Sequence, residues 1–308
     1  MTNSRASELH PELIENLAAH TGKLLEVTQI SGGMTNKNFL LETERGRFML
    51  RLAGERTELL GINRAHEFAC SSSAYSVGVG AKPIAFLEQH KATLTQFIDN
   101  ADTLTLERAQ TQLENIVQVL KRFHAAPAFP STFSPFETVR DYHKLALEYN
   151  VKFPKDTAQI LEIMRRIEIA LGPHAQVCPC HNDLLPANLL DDGQQIWLVD
   201  WEYAGNGNLF FDLGNFAVNL ELNAGQCKEL LRLYFGFSSD ILLAQLHLMR
   251  LVSDLREAFW GFLQAGISSL EFDFMAYGEK HLGRFRENVA KNEFKLWLNV
   301  LEPLDDKN

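Results

Sequence analysis

Cys180-His181-Asn182-Asp183-Leu184-Leu185-Pro186-Ala187-Asn188 is a polar loop sequence that runs directly into a β-hairpin pattern. Leu189-Leu190 and Ile196-Trp197-Leu198-Val199 are short apolar runs, and Asp191-Asp192-Gly193 between them is a turn signal. A tight turn there folds the second strand back antiparallel. Asn188, just before the hairpin, and Asp200, just after it, are therefore expected near the same end. Two oxygen donors at one end suit Mg²⁺, which takes one or two protein oxygens and completes its shell with phosphate and water. Asp183, five residues before Asn188, is placed to face a hydroxyl nucleophile.

The spacing H-x-D-x-x-x-x-N is also that of the protein-kinase catalytic loop, whose Asp accepts the proton of the attacking hydroxyl and whose Asn holds Mg²⁺. Asp200 closes an apolar strand, which is where kinases carry the metal-binding Asp of D-F-G. Each piece alone is weak, since acids readily decorate turns, as Asp191-Asp192 does. The ordered set of H-x-D, Asn, hairpin and strand-terminal Asp is specific. His181 is read as a buried residue bracing the loop, not as a catalytic group.

Upstream, the first hundred residues read as a small antiparallel sheet with one helix inserted. Strand patterns cover 24–30, 38–41, 48–52, 82–87 and 92–98, with a helix over 59–75. Ser31-Gly32-Gly33-Met34-Thr35-Asn36 joins two strands. Glycines there permit close backbone approach, and N–H groups with small side chains can hold phosphates. Arg51 ends the strand Phe48-Met49-Leu50 and is placed to reach nucleotide phosphates as the β3 Lys of kinases does, with Glu67 as its partner. An ordinary exposed ion pair fits these two residues equally well.

Past Asp99-Asn100-Ala101-Asp102 the apolar period becomes helical, with Thr105 as the expected N-cap. Helices are expected near 138–150, 156–171, 225–235, 239–265 and 270–292, interrupted by the single hairpin. The fold class is α+β. A nucleotide-binding N-lobe is expected over 1–98 and a catalytic, acceptor-binding C-lobe over 99–308, with a crossover near 96–102.

Composition excludes several classes. The 308 residues are 46% hydrophobic and 22% charged, as in an ordinary globular protein rather than a disordered chain. A net charge of −10 disfavours a nucleic-acid partner. No apolar run approaches the roughly 20 residues of a membrane span, and the first residues lack a signal-peptide core, so no membrane partner is expected. Four cysteines make no disulfide framework, so a cytoplasmic setting is expected. Cys178-Pro179-Cys180-His181 has no second Cys/His pair at ligand spacing and is not read as a metal centre. The oligomeric state has no signature in the sequence.

Taken together, the motifs resemble the choline/ethanolamine kinases, part of the broader aminoglycoside-phosphotransferase-like group. The resemblance rests on 181–188, on Leu198-Val199-Asp200-Trp201-Glu202-Tyr203-Ala204-Gly205 and on Phe211-Asp212-Leu213-Gly214-Asn215-Phe216. Ala258-Phe259-Trp260-Gly261-Phe262-Leu263-Gln264-Ala265, the segment 267–272, the loop 31–36 and Leu50-Arg51-Leu52-Ala53-Gly54 extend it in order over about 28–290. It implies a two-lobed protein-kinase-like fold and ATP-dependent phosphorylation of a small amino alcohol such as choline or ethanolamine. It implies Asp183 as catalytic base, Asn188 and Asp200 as Mg²⁺ ligands, and Gly32, Gly33, Thr35, Asn36, Arg51 and Glu67 around ATP. It further implies Gln96, Phe97 and Ile98 at the adenine, and Glu202, Tyr203, Trp260, Phe272 and Tyr277 around the acceptor.

A quaternary ammonium donates no hydrogen bond and is best held by aromatic faces. Trp260, Phe272, Phe274 and Tyr277 flank a break near 266–269 that can bring two helices side by side. The same pattern suits a plain aromatic core. Two positions depart from the family: Leu263 stands where a second aromatic is common, and Asn219 stands where an acid is common, with Glu221 two residues on. Other readings are a phosphotransferase for thiamine or an aminoglycoside, and a nucleotide-binding pseudokinase. The intact Asp183, Asn188 and Asp200 argue against the pseudokinase.

Overall fold

The computed structural model describes residues 9–30 and 36–301. In chain order the first elements are α1 (Pro11–Thr21), β1 (Leu24–Ile30), β2 (Asn36–Thr43), β3 (Gly46–Ala53), α2 (Arg64–Ser76), β4 (Pro83–Leu87), β5 (Ala92–Gln96) and β6 (Asp102–Thr103). Next come α3 (Leu106–Thr111), α4 (Leu113–His124), α5 (Pro135–Glu148), α6 (Thr157–Leu171), β7 (Val177–Cys180), β8 (Leu189–Asp191), β9 (Ile196–Leu198) and β10 (Gly205–Asn208). The chain ends with α7 (Leu209–Asn219), α8 (Ala224–Phe235), α9 (Asp240–Ile267), α10 (Phe274–Val289) and α11 (Asn292–Leu301). Two compact units result: Met1–Thr103 with Leu189–Tyr203, and Leu104–Asn188 with Ala204–Asn308.

The first unit is built on a five-stranded antiparallel sheet in the order β1-β2-β3-β5-β4. Alternation of side chains along each strand sends Phe39, Leu41, Phe48, Leu50 and Leu94 to one face, where they pack with Leu13 and Leu17 of α1. The register sets Phe39 opposite Leu50 and Leu41 opposite Phe48. α1 is an addition to the single helix expected in this region. Only Leu13, Leu17 and Thr21 of it are buried, so its apolar stripe is thin. α2 starts at Arg64 and not near 59, because Thr57–Leu60 forms a separate 3₁₀ turn closed by Gly61 at φ +78°. The Asn63 side chain then accepts the Ala65 and His66 N–H groups and caps α2.

The hairpin read at 189–199 forms as β8 and β9, with Leu189 opposite Leu198. β6 adds to β8. The Leu198 N–H donates to Val79 O at 2.8 Å, which ties the hairpin to the chain following α2.

The second unit is arranged around α9, which is buried along most of its length and packs against α5, α7, α10 and α11. Two of these contacts need glycine. A Cβ on Gly214 of α7 would sit 2.8 Å from Met249, and one on Gly278 of α10 would sit 2.7 Å from the Phe262 ring. Thr105 caps α3 by accepting the Arg108 N–H, and Asn223 with Gln226 forms a capping box on α8. The hairpin is not the sole β interruption: β7 pairs antiparallel with β10. α7 also was not expected from periodicity. Every residue from Leu209 to Val218 is buried, so no polar face marks the helical repeat.

Candidate active site

In the first unit the candidate residues Asn36, Arg51, Glu67, Asp200 and Glu202 join Arg64 in one ion network. Asp200 follows β9 with φ +71°, a left-handed conformation that a non-glycine residue adopts at a cost. Arg51 of β3 donates from Nη1 to Asp200 Oδ1 at 2.5 Å and to Glu67 Oε1 at 3.2 Å. Arg64 donates to Glu67 Oε2 at 2.6 Å, to Glu202 Oε2 at 3.2 Å and to Asn36 Oδ1 at 2.7 Å. Asn36 Nδ2 completes the ring by donating to Glu202 Oε2 at 2.8 Å. The Arg51–Glu67 pair is therefore no exposed surface pair: its side chains are 16% and 6% exposed.

Three carboxylates here face two guanidinium groups. Burial alone favours a neutral Arg51, but Asp200, Glu67 and Glu202 outweigh it and hold the guanidinium charged. Burial pushes the Glu202 carboxyl up to about 7, and the nearby Asp200 charge adds to this against the pull of Arg51. A surplus carboxylate suits an added cation. Gln96 and Phe97 have their N–H groups engaged at Lys82 O (2.8 Å) and Arg47 O (3.1 Å), and the Arg47 guanidinium lies 4.5 Å over the Phe97 ring. Ile98 follows them on the same unit, and Tyr203 is buried at its last position. Gly32, Gly33 and Thr35, expected at the nucleotide phosphates, lie outside the described residues.

In the second unit the loop 181–184 is clamped by one face of α7. Asp212 accepts the His181 N–H at 2.7 Å and the Asn182 N–H at 2.6 Å. One turn on, Asn215 Oδ1 accepts the Leu184 N–H at 2.5 Å, and another turn on Asn219 Nδ2 donates to Leu184 O at 3.3 Å. These residues are spaced i, i+3 and i+7, so they share one helical stripe. His181 is fully buried, as expected of a bracing residue. Asn182 takes φ +65°, which turns the chain sharply just before Asp183.

Asp183 is held from both sides. Arg256 of α9 donates from Nη2 to Asp183 Oδ1 at 3.0 Å and to Asn182 O at 2.7 Å. Asn188 Nδ2 donates to Asp183 O at 2.9 Å, which leaves its Oδ1 as the acceptor end of the amide. Arg256 Nη1 pairs with Glu257, whose second oxygen accepts the Tyr277 hydroxyl at 2.6 Å. Burial and the Glu257 charge push the Tyr277 phenol up, so it stays a donor.

Tyr277 then leads into an aromatic group. Its ring centroid is 5.6 Å from Trp260 and 6.1 Å from Phe272, with the rings steeply inclined. Trp260 is 5% exposed and Phe272 is 48% exposed, so the group runs from the interior to the surface. Leu263 is fully buried in the core. Trp260, Phe272 and Tyr277 are thus brought together, while Glu202 and Tyr203 belong to the other unit. Arg64, Asp212, Asn215, Arg256 and Glu257 contact the candidate residues or their loop, and motif reading assigned them no role.

The sequence profile of the phosphotransferase enzyme family (APH) matches residues 26–247. The chain belongs to that family. As a phosphotransferase-family protein it is 28% identical over 208 residues to Protein LicA of Haemophilus influenzae, covering 66% of this chain and 61% of that protein. The matched stretch is thus less than two thirds of that relative's length. It is 24% identical over 314 residues to a probable ethanolamine kinase of Arabidopsis thaliana, covering 89% of this chain and 82% of that one. The crystal structure of a choline/ethanolamine kinase family protein from Mesorhizobium loti superposes with a TM-score of 0.80 at 28% identity, covering 94% of this chain and 98% of that one. The α+β protein-kinase-like fold expected from the sequence is the fold of this phosphotransferase-family chain. Among the described residues, no helix is long and apolar enough to cross a membrane.

Proposed function

We propose that the protein transfers the γ-phosphoryl group of ATP to the hydroxyl of a small amino alcohol, choline or ethanolamine, in the cytoplasm. The observation that carries this reading is the Asp183–Arg256–Glu257–Tyr277 chain of contacts. It links a loop carboxylate to a second carboxylate set among aromatic rings. Asp183 orients the acceptor hydroxyl and takes its proton as the new O–P bond forms and the bond from the γ-phosphorus to the bridging oxygen breaks, releasing ADP. Arg256 keeps the Asp183 carboxylate in one orientation. The ammonium end of the acceptor lies against Trp260, Tyr277 and Phe272, near the Glu257 charge.

The donor set fits Mg²⁺: an amide oxygen on Asn188 and a carboxylate on Asp200 are hard ligands, and the network around Asp200 has one acid more than it has bases. Asn188 and Asp200 would hold Mg²⁺ in this reading, and the ion would supply positive charge against the transferring phosphates. Arg51, held by Glu67, and Asn36, held by Arg64, face the nucleotide phosphates in this reading, with Gln96, Phe97 and Ile98 at the base. Glu202 and Tyr203 complete the residue set assigned to the acceptor.

The test is ATP turnover with Mg²⁺ and choline, ethanolamine, thiamine or an aminoglycoside, each at the same concentration. Phosphorylation of choline or ethanolamine with the highest kcat/KM is expected. Turnover confined to thiamine or the aminoglycoside rejects the acceptor. ATP binding without turnover of any acceptor rejects the enzyme.

A further inference from the structure

The strand β7 carries Cys178 and Cys180 on one face, two positions apart across Pro179. Their sulfurs lie 3.7 Å from each other. The third group is one that sequence spacing does not reveal. His124, the last residue of α4, brings an imidazole nitrogen to the pair, and the three ligand atoms all lie within 4.8 Å of one another.

A tetrahedral ion with metal–sulfur bonds of about 2.3 Å holds two sulfurs about 3.8 Å apart, so the observed sulfur separation is already that of a bound pair. A disulfide fits less well. Cys178 and Cys180 are locked into an extended ladder opposite Gly207 and Gly205, which holds their Cα atoms near the upper limit for a bridge. Gly207 also leaves the space beside the Cys180 Cβ, 3.7 Å from where its own Cβ would stand.

The histidine is prepared as a ligand. Its Nε2 is 3.1 Å from Asp212 Oδ2 and its Nδ1 is 2.8 Å from the Tyr234 hydroxyl. With Nε2–H donated to the carboxylate, Nδ1 carries the lone pair, which accepts the Tyr234 O–H here and would exchange that bond for one to the ion. Carboxylate–histidine pairing of this kind orients metal-bound imidazoles and raises their basicity. Water can take the fourth position, as can the Tyr234 hydroxyl once it releases Nδ1. His124 and Cys180 are buried, while Cys178 is half-buried and gives an ion a way in.

We propose that His124, Cys178 and Cys180 form a binding site for a thiophilic d¹⁰ metal ion, with zinc(II) as the representative. Two thiolates and one imidazole select such an ion over Mg²⁺. The ion joins the end of α4 to β7, the strand that leads into the loop 181–184. It also shares Asp212 with the backbone of that loop through His124. None of the three residues is among those assigned to ATP, Mg²⁺ or the acceptor, so the site does not rest on the assigned reaction.

The full chain is purified under reducing conditions, stripped with a chelator and titrated with zinc(II) alone against a chromophoric competitor. One zinc per chain is expected, with affinity reduced at least tenfold in Cys178→Ser. That side chain is half-buried and the substitution leaves the β7 ladder intact, so the variant is expected to fold, which circular dichroism checks. Cobalt(II) should give thiolate-to-cobalt charge-transfer absorption in the parent protein and lose most of it in Cys178→Ser. Less than one zinc per chain in the parent protein overturns the site. So does the same zinc affinity in Cys178→Ser and Cys180→Ser as in the parent.

Discussion

Arg256 reaches Asp183 from 73 residues farther along the chain and donates to its carboxylate at 3.0 Å, with Asn182 O taking the same nitrogen at 2.7 Å. The guanidinium is 3% exposed and Asp183 is 13% exposed, so the charge that pairs with the loop is supplied from inside the helical core. Removing one partner of a buried pair leaves an uncompensated charge and typically costs about 3–5 kcal/mol. Arg256→Met is expected to lower the free energy of unfolding by about that amount, read in urea, and to lower kcat. Arg256→Lys should recover part of the stability. Parent-like stability and kcat in Arg256→Met reject a positioning role for this residue.

Asp183 and Asp200 are expected to separate in kinetics. Loss of a positioned general base costs about 10²–10⁴ in rate. Asp183→Asn should lower kcat within that range and leave ATP affinity nearly unchanged, since the amide keeps the side chain's size. Asp200→Ala should lower turnover by at least ~10² and flatten the response to added Mg²⁺. Calorimetry that finds ATP binding abolished in Asp183→Asn, with kcat intact at saturation, contradicts the base role.

His247 of α9 stacks on Trp297 of α11 with centroids 4.6 Å apart. Burial, aided by the Arg250 charge, pushes its imidazole down to about 4. The unfolded chain, with an ordinary value of about 6.5, binds a proton between pH 6.5 and 4 that the folded chain refuses. The stability from neutral His247 is therefore complete above pH 6.5 and is lost as pH falls towards 4. His247→Phe keeps a stacking ring and removes the titration. Relative to the parent protein, it should gain about 1–2 kcal/mol between pH 7.5 and 5 in urea unfolding. A constant difference over that range contradicts the assignment.

Gly278 sets how closely α10 approaches α9. A methyl group there would meet the Phe262 ring at 2.7 Å and Ala258 O at 2.9 Å. Phe262 is fully buried and packs against Phe153 and Phe259, so it has little room to yield. Overpacking of this kind typically costs about 1–3 kcal/mol. Gly278→Ala should show that loss in thermal or urea unfolding, whereas Gly283→Ala on the same helix, where a Cβ meets nothing within 4 Å, should not.

The hairpin at 189–198 was legible in the sequence because Asp191-Asp192-Gly193 marks its own turn, and the proposed site motif stood out because phosphoryl transfer uses specific residue types at short spacings. The strands β1 to β5 were legible from their alternation. What supports the loop was not. Asp212, Asn215 and Asn219 lie in a helix buried on all sides, so neither a polar face nor a period singles them out. Arg256 sits in a 28-residue helix, where charge reads as surface until tertiary contacts turn it inward. The same holds for His124, whose helix carries it to two cysteines that local spacing left without a third ligand.

In the proposed function Trp260 holds the ammonium end of the acceptor. Its ring is edge-on to Phe274 and Tyr277 and is 5% exposed, and Tyr277 bonds Glu257. Removing Trp260 therefore acts on an aromatic group that adjoins a carboxylate. A desolvated cation–π contact is worth up to about 2 kcal/mol, roughly thirtyfold in affinity. Trp260→Ala should raise the KM for choline by about that factor and leave the ATP KM nearly unchanged. The effect should be smaller for ethanolamine, because a primary ammonium keeps three N–H donors that Glu257 can accept, whereas choline has none. Equal rises for choline, ethanolamine and ATP point to a packing role for Trp260 and reject the cation contact. A rise for choline alone, at unchanged kcat, fixes the aromatic face as the element that recognises the quaternary ammonium.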